Sequence, residues 1–202
     1  MDQSFVSRNV LHVWKDILPL YLTLPRAVLV RLGFHDCVGG CDGCVDLENP
    51  SNFGLDIPIE ALESVVQDHE DLALGFSRAD IWALAALVGA DVSQRRPLVD
   101  FSLETIGRIN CEDAGNPCLD FDNEVTPCTP ERGPHRELPL ADITTADLFH
   151  FFSSEFGFNV QETVALMGAH TIGVLTRENS GFDGQDGWVV DDLVLDNGTN
   201  DR

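Results

Sequence analysis

The chain has 202 residues, of which 44% are hydrophobic, and it carries a formal net charge of −22 at pH 7. This length and apolar content suit a globular protein of one domain or two small lobes with a sizeable core. The negative charge argues against nucleic acid and anionic membrane surfaces as partners. The apolar run at residues 82–88 is too short to span a membrane. The composition therefore suits a secreted protein, a cation-binding protein, or one that acts on neutral or cationic substrates.

Six cysteines, an even number, predict a disulfide framework formed in an oxidising compartment. The N-terminal sequence MDQSFVSRNV has no basic segment followed by an apolar core, so it shows no signal peptide. We therefore expect an extracellular, secreted protein whose leader is missing from this sequence.

Helical periodicity, capping residues and prolines predict a chain that is mostly α-helical. In chain order, helices are expected over residues 2–18, 28–37, 55–71, 77–91, 144–156 and 159–170. Three of them begin with capping patterns, which are Ser77 with Asp80, Thr144 with Asp147, and Asn159 with Glu162. Residues 92–142 show no period and contain six of the ten prolines and three cysteines, so a long loop held by disulfides is expected there.

The stretch at residues 28–44, VLVRLGFHDCVGGCDGC, places Arg31 and His35 four residues apart on a predicted helix, with Phe34 beside them. Residues at this spacing share a helix face. A histidine there could take a proton from one atom of a small polar molecule and return it to another. An arginine, charged at any working pH, could stabilise the leaving atom. Taken alone, such a pair is more often part of a surface or an interface.

The pattern R-L-x-F-H-D-C within this stretch resembles the distal haem-pocket helix of the plant, fungal and bacterial haem peroxidase superfamily. The distant sequence VALMGAHTIG, at residues 164–173, is similar to the proximal helix of that family, and SRADIWALAALVGAD, at 77–91, to the helix behind the distal pocket. The resemblance implies a mainly α-helical, two-lobed fold with haem b between a distal lobe (about residues 1–143) and an incomplete proximal lobe (about 144–202). It also implies reduction of hydrogen peroxide with one-electron oxidation of a small reducing substrate.

The resemblance also assigns roles to individual residues. Arg31, Phe34 and His35 would form the distal site, and Asn52, in NPSNFGL, would accept a hydrogen bond from His35. His170 would bind the haem iron, although a lone histidine at a helix end is more often a hydrogen-bonded core residue. In ENSGFDGQDGW, Trp188 matches a tryptophan that packs beside the iron ligand and in some members carries an oxidising equivalent.

Two cation sites follow from the same resemblance. Asp36, Gly40, Asp42 and Cys44 match a loop that binds calcium in secreted members, where a serine usually stands in place of Cys44. A short disulfide between Cys37 and Cys41 is implied in that loop. A second cation would bind to Thr171, Asp191 and Asp196, and the two carboxylates would favour calcium. The alternative is that these acids only form a solvated tail.

Two other functions stay open on the sequence. The first is a catalytically inactive, secreted peroxidase-like protein that binds calcium, which the strong negative charge would suit. The second is a thiol–disulfide or zinc protein that uses the C-x-x-C motif of Cys41 and Cys44. The sequence predicts no oligomeric state.

Overall fold

The structure, a computed structural model, describes residues 24, 26–68, 75–94, 105–115, 118–119, 124–140 and 143–171. Within these ranges the chain is mainly α-helical, as predicted. Its helices are α1 (Arg26–Cys37), α2 (Asp56–Asp68), α3 (Arg78–Val92), α4 (Thr145–Phe156) and α5 (Val160–Met167). Short 3-10 helices cover Pro50–Asn52, Cys111–Asp113 and Gly168–Thr171. No described helix is long and apolar enough to cross a membrane.

The predicted helix starts are confirmed by their caps. Ser77 accepts a hydrogen bond from the Asp80 backbone, and Thr144 does the same for Asp147. Asn159 and Glu162 form a complete capping box, in which each side chain binds the other residue's backbone N–H. The predicted helix over 159–170 is α-helical only to residue 167 and continues as the tighter Gly168–Thr171 turn. The predicted helix at 2–18 and the tail from 172 onwards lie outside the described residues, as do Trp188, Asp191 and Asp196.

The chain divides into two compact units, residues 1–138 and 139–202. In the first unit α1 packs closely against α3 because glycines stand at the contact. A Cβ atom at Gly33 would lie 2.4 Å from the Cβ of Ala86, and one at Gly89 would lie 3.2 Å from the carbonyl oxygen of Arg26. The core of this unit comes mainly from α1, α2 and α3. It includes Leu29, Leu32, Leu55, Ile59, Leu62, Ile81, Trp82, Leu84 and Val88.

Three disulfides contain all six cysteines and join Cys37 to Cys41, Cys44 to Cys111, and Cys118 to Cys128. The implied Cys37–Cys41 bridge is therefore confirmed. The C-x-x-C hypothesis is wrong, because Cys41 and Cys44 are bonded to different partners and neither is a free thiol.

The region predicted as an irregular loop contains a small antiparallel pair, β1 (Cys118–Leu119) and β2 (Val125–Thr126), closed by the third disulfide. The buried carboxylate of Asp80 holds another part of this region. It accepts hydrogen bonds from the backbone N–H of Gly107 (2.7 Å) and from the Arg108 guanidinium (2.8 Å). The amino-terminal turn of α3 thus fixes the chain that leads to Cys111.

The second unit contains α4, α5 and the Gly168–Thr171 turn. Phe152, which is 1% exposed, stacks with Phe156 and Phe158 at centroid distances of 5.8 and 6.4 Å. Gly157 ends α4 in the left-handed conformation, with φ of 70°, so the chain can turn directly into α5. This packing places His170 just after α5.

Candidate active site

The Pro50–Asn52 turn is attached to α1 through Arg31. The guanidinium of Arg31 donates to the carbonyl oxygens of Ser51 (2.7 Å) and Phe53 (2.9 Å), one on each side of Asn52. Burial lowers the pKa of Arg31. These two bonds use two of the five guanidinium N–H donors.

His35 lies one turn further along α1, and its Nδ1 is 2.7 Å from Oδ1 of Asn52. The orientation of the buried Asn52 amide is fixed at its other end, because Nδ2 donates to the carbonyl oxygen of Asp46 at 2.8 Å. With an acceptor at Nδ1, the proton of a neutral imidazole lies on that nitrogen and Nε2 carries the basic lone pair. The predicted bond between His35 and Asn52 is therefore present, and Phe34 packs edge-on to the histidine at 5.7 Å.

A further polar layer, not identified from the sequence, supports this turn. The buried Asp46 accepts from the backbone of Glu48 (3.0 Å) and lies 3.0 Å from Nδ1 of His135. Asn49 caps the turn and donates through Nδ2 to the carbonyl oxygen of Arg136 (3.0 Å). These partners are separated by up to 89 positions in the sequence, so no local pattern pairs them.

The loop after α1 is organised by the fully buried Asp36. Its Oδ1 accepts from the backbone N–H groups of Gly43 (2.7 Å) and Cys44 (3.2 Å). Burial, and then the negative charge of Asp42, raise the pKa of Asp36 to about 7. Asp42 pairs with the guanidinium of Arg136, which also donates to the Asp36 carbonyl oxygen at 2.8 Å.

The predicted calcium site in this loop does not fit these contacts. Calcium takes 6 to 8 oxygen ligands, yet the Asp36 carbonyl oxygen already accepts from Cys41 (3.0 Å) and from Arg136. The sulfur of Cys44 is bonded to Cys111 and supplies no oxygen. Among the described residues, Asp36 Oδ2 and Asp42 Oδ1 are side-chain oxygens of this loop that are buried without a hydrogen-bond partner, and they supply two of the 6 to 8 oxygens that calcium takes. Gly40, the other predicted ligand, is exposed in this loop.

His170, in the second unit, lies in the Gly168–Thr171 turn and is partly buried. Burial lowers its pKa, which favours the neutral imidazole at neutral pH. A neutral imidazole is the form that binds a metal ion. Of the residues predicted for the second cation site, only Thr171 is described, at the end of the same turn.

The described residues thus define a helical protein in which His35, Asn52 and Arg31 lie together in the first unit. The second unit carries His170, whose pKa is lowered by burial. A family model described as "Peroxidase" matches residues 8–188, and the chain belongs to this family, within the haem peroxidase superfamily.

Similar proteins carry names that agree with this assignment. A Yarrowia lipolytica protein named "Putative heme-binding peroxidase" is 30% identical over 84% of this chain and 53% of its own length. The cytosolic L-ascorbate peroxidase 1 of Oryza sativa subsp. indica is also 30% identical, over 84% of this chain and 62% of its own. A Candida albicans protein, again named "Putative heme-binding peroxidase", is 30% identical over 78% of this chain and 50% of its own length. The chain therefore spans about half to three-fifths of the length of these three relatives.

Proposed function

We propose that this protein is a haem-dependent peroxidase that reduces hydrogen peroxide and takes electrons, one at a time, from a small reducing substrate. The observation that carries the proposal is the 2.7 Å bond between His35 and Asn52, beside Arg31 on the same helix. A base held in one tautomer next to a permanent cation is the arrangement that peroxide cleavage requires. Family membership supports the proposal, and the relatives' names include heme binding and ascorbate peroxidation.

The residues present suit haem as the cofactor. His170 would hold the iron, because burial lowers its pKa and so favours the neutral imidazole that binds a metal. Phe53, whose carbonyl binds Arg31, is 61% exposed, and an exposed aromatic side chain beside the site offers an apolar contact to a porphyrin edge. When bound, haem would supply the redox-active iron and the two electrons that break the oxygen–oxygen bond.

The chain's own residues would move the proton. Nε2 of His35 would accept it from one oxygen of hydrogen peroxide and deliver it to the other oxygen, which leaves as water. Asn52 would keep the first proton on Nδ1, so that Nε2 is the nitrogen that accepts the peroxide proton and returns it. Arg31 would stabilise the negative charge on the departing oxygen with donors beyond those used on the turn.

The remaining predictions about this protein belong to the same proposal. Trp188 would pack beside His170. A cation would bind to Thr171, Asp191 and Asp196, and the two carboxylates would favour divalent calcium. Secretion is supported by the three disulfides, since such bridges form and persist in oxidising compartments. Three of the rice relatives carry the word cytosolic in their names, so the names of these relatives do not support secretion.

The proposal is tested by His35→Ala in the haem-loaded protein, with rapid-mixing absorbance to follow the reaction with peroxide. Loss of a general base slows such a step by roughly 10² to 10⁴-fold, while the haem absorption band stays. The matched control is His150→Ala, because His150 is an exposed histidine on α4. An unchanged rate in the His35 variant would remove this residue from the mechanism. A wild-type protein that binds no haem and oxidises no dye would instead support the inactive, calcium-binding alternative.

A further inference from the structure

Arg136 is inserted into the acidic loop that follows α1. Its Nη1 donates to the Asp36 carbonyl oxygen at 2.8 Å, and its Nη2 pairs with the Asp42 carboxylate. Both partners of the ion pair are mostly buried, with side-chain exposures of 13% for Arg136 and 16% for Asp42. The chain has only 12 basic residues against 34 acidic ones, so one of its few cations is enclosed here.

The loop has a space shaped for this side chain. Gly39 has φ of 84°, and a Cβ atom at this position would lie 2.7 Å from Nε of Arg136 and 2.8 Å from its Cδ. Absence of a side chain at Gly39 therefore makes room for the arginine. The guanidinium is planar and presents a fork of donors, so it can bind a carbonyl and a carboxylate at once, whereas a lysine ammonium is a single point charge.

Arg136 also contacts the Pro50–Asn52 turn through its backbone. Its carbonyl oxygen accepts from Asn49, whose side chain caps that turn. The side chain of Arg136 therefore holds the end of α1, and its main chain holds the start of the segment that carries Asn52. This one residue joins the two elements whose side chains, His35 and Asn52, are hydrogen-bonded to each other.

We propose that Arg136 is the resident cation of the loop at residues 36–44 and takes the place of a calcium ion. A bound guanidinium occupies two of the oxygens that a metal would need, and its positive charge repels a divalent ion at close range. The loop then has a positive charge of its own beside the Asp42 carboxylate, and Asp36 Oδ2 and Asp42 Oδ1 stay buried with no hydrogen-bond partner among the described residues. This inference concerns the loop and does not depend on the peroxidase reaction.

The first experiment measures the melting temperature of the full chain in EGTA and in 1 mM calcium chloride. We expect a difference below about 1 °C, whereas a site with micromolar affinity in this loop would raise the melting temperature by roughly 10 °C. The same comparison in Asp42→Asn shows where any calcium response arises. A wild-type response that Asp42→Asn abolishes would overturn the proposal, and one that persists in this variant would place the calcium elsewhere and leave the proposal standing.

The second experiment replaces the arginine. Arg136→Gln should lower the melting temperature in EGTA by about 5–10 °C, because Asp42 loses its partner in a mostly buried place. Calcium should restore part of that loss, since the oxygens released by the guanidinium become available. Arg132→Gln is the control, because Arg132 lies in the same segment but makes an exposed ion pair with Glu48 at 3.3 Å. If Arg136→Gln melts like the wild type in EGTA, the proposal fails, and if it does not fold, the wild-type comparison decides alone.

Discussion

Replacing Asn52 by alanine removes the amide that links the two parts of the proposed active site. The variant loses the bond to His35 (2.7 Å) and the bond from Nδ2 to the Asp46 carbonyl oxygen (2.8 Å). That carbonyl oxygen keeps a second donor, the backbone N–H of Asn49 at 3.1 Å, so it is not left unsatisfied. Each of the two hydrogen bonds contributes about 1 kcal/mol, so the free energy of unfolding should fall by about 2 kcal/mol. This corresponds to a melting temperature lower by about 4–8 °C.

Activity should respond differently to the two possible changes at this position. Asn52→Ala removes the acceptor that keeps the proton of His35 on Nδ1, so the peroxide rate should fall, but by less than in His35→Ala. Asn52→Asp keeps an acceptor and adds a negative charge that favours the imidazolium form. We therefore expect the acid limb of its pH–rate profile to move to higher pH by about one unit.

The assay combines thermal unfolding with pH–rate profiles from rapid mixing. Asn159→Ala is the control, because the side chain of Asn159 also accepts a hydrogen bond, from the backbone of Glu162 at the start of α5. Its loss should lower the free energy of unfolding by about 1 kcal/mol. That control should leave the pH profile unchanged. If Asn52→Asp has the same acid limb as the wild type, the orienting role of this residue is refuted, whatever happens to stability.

Two further predictions concern stability. Cys44 and Cys111 are 67 positions apart, and replacing both should lower the free energy of unfolding by about 4 kcal/mol, because the unfolded chain gains loop entropy. Denaturant unfolding measures this change, and a decrease below about 1 kcal/mol would contradict the prediction. The second concerns the partly buried His170 in the haem-free protein. Because burial lowers the pKa of His170, the folded state loses stability as the pH falls below the ordinary value of 6.5. The unfolding free energy of wild type relative to His170→Gln should therefore decrease from pH 7 to pH 5, and a pH-independent difference would show that burial does not shift this group.

Much of the local structure follows from short stretches of sequence. Ser77, Thr144 and Asn159 each bind the backbone three residues ahead, so the three helix starts could be predicted within one residue. A helix cap depends only on neighbours along the chain, which explains this agreement. The β1–β2 pair was missed because its two-residue strands are too short to show alternation.

The sequence by itself determined the mainly helical class, the spacing of Arg31 and His35 and their likeness to a peroxidase motif. These features depend on residues within one or two helical turns of each other. Tertiary structure alone decided that Cys41 and Cys44 have different partners, and that Arg136 enters the loop expected to hold calcium. Its partner Asp42 lies 94 positions away, and contacts over such distances form only when the chain folds.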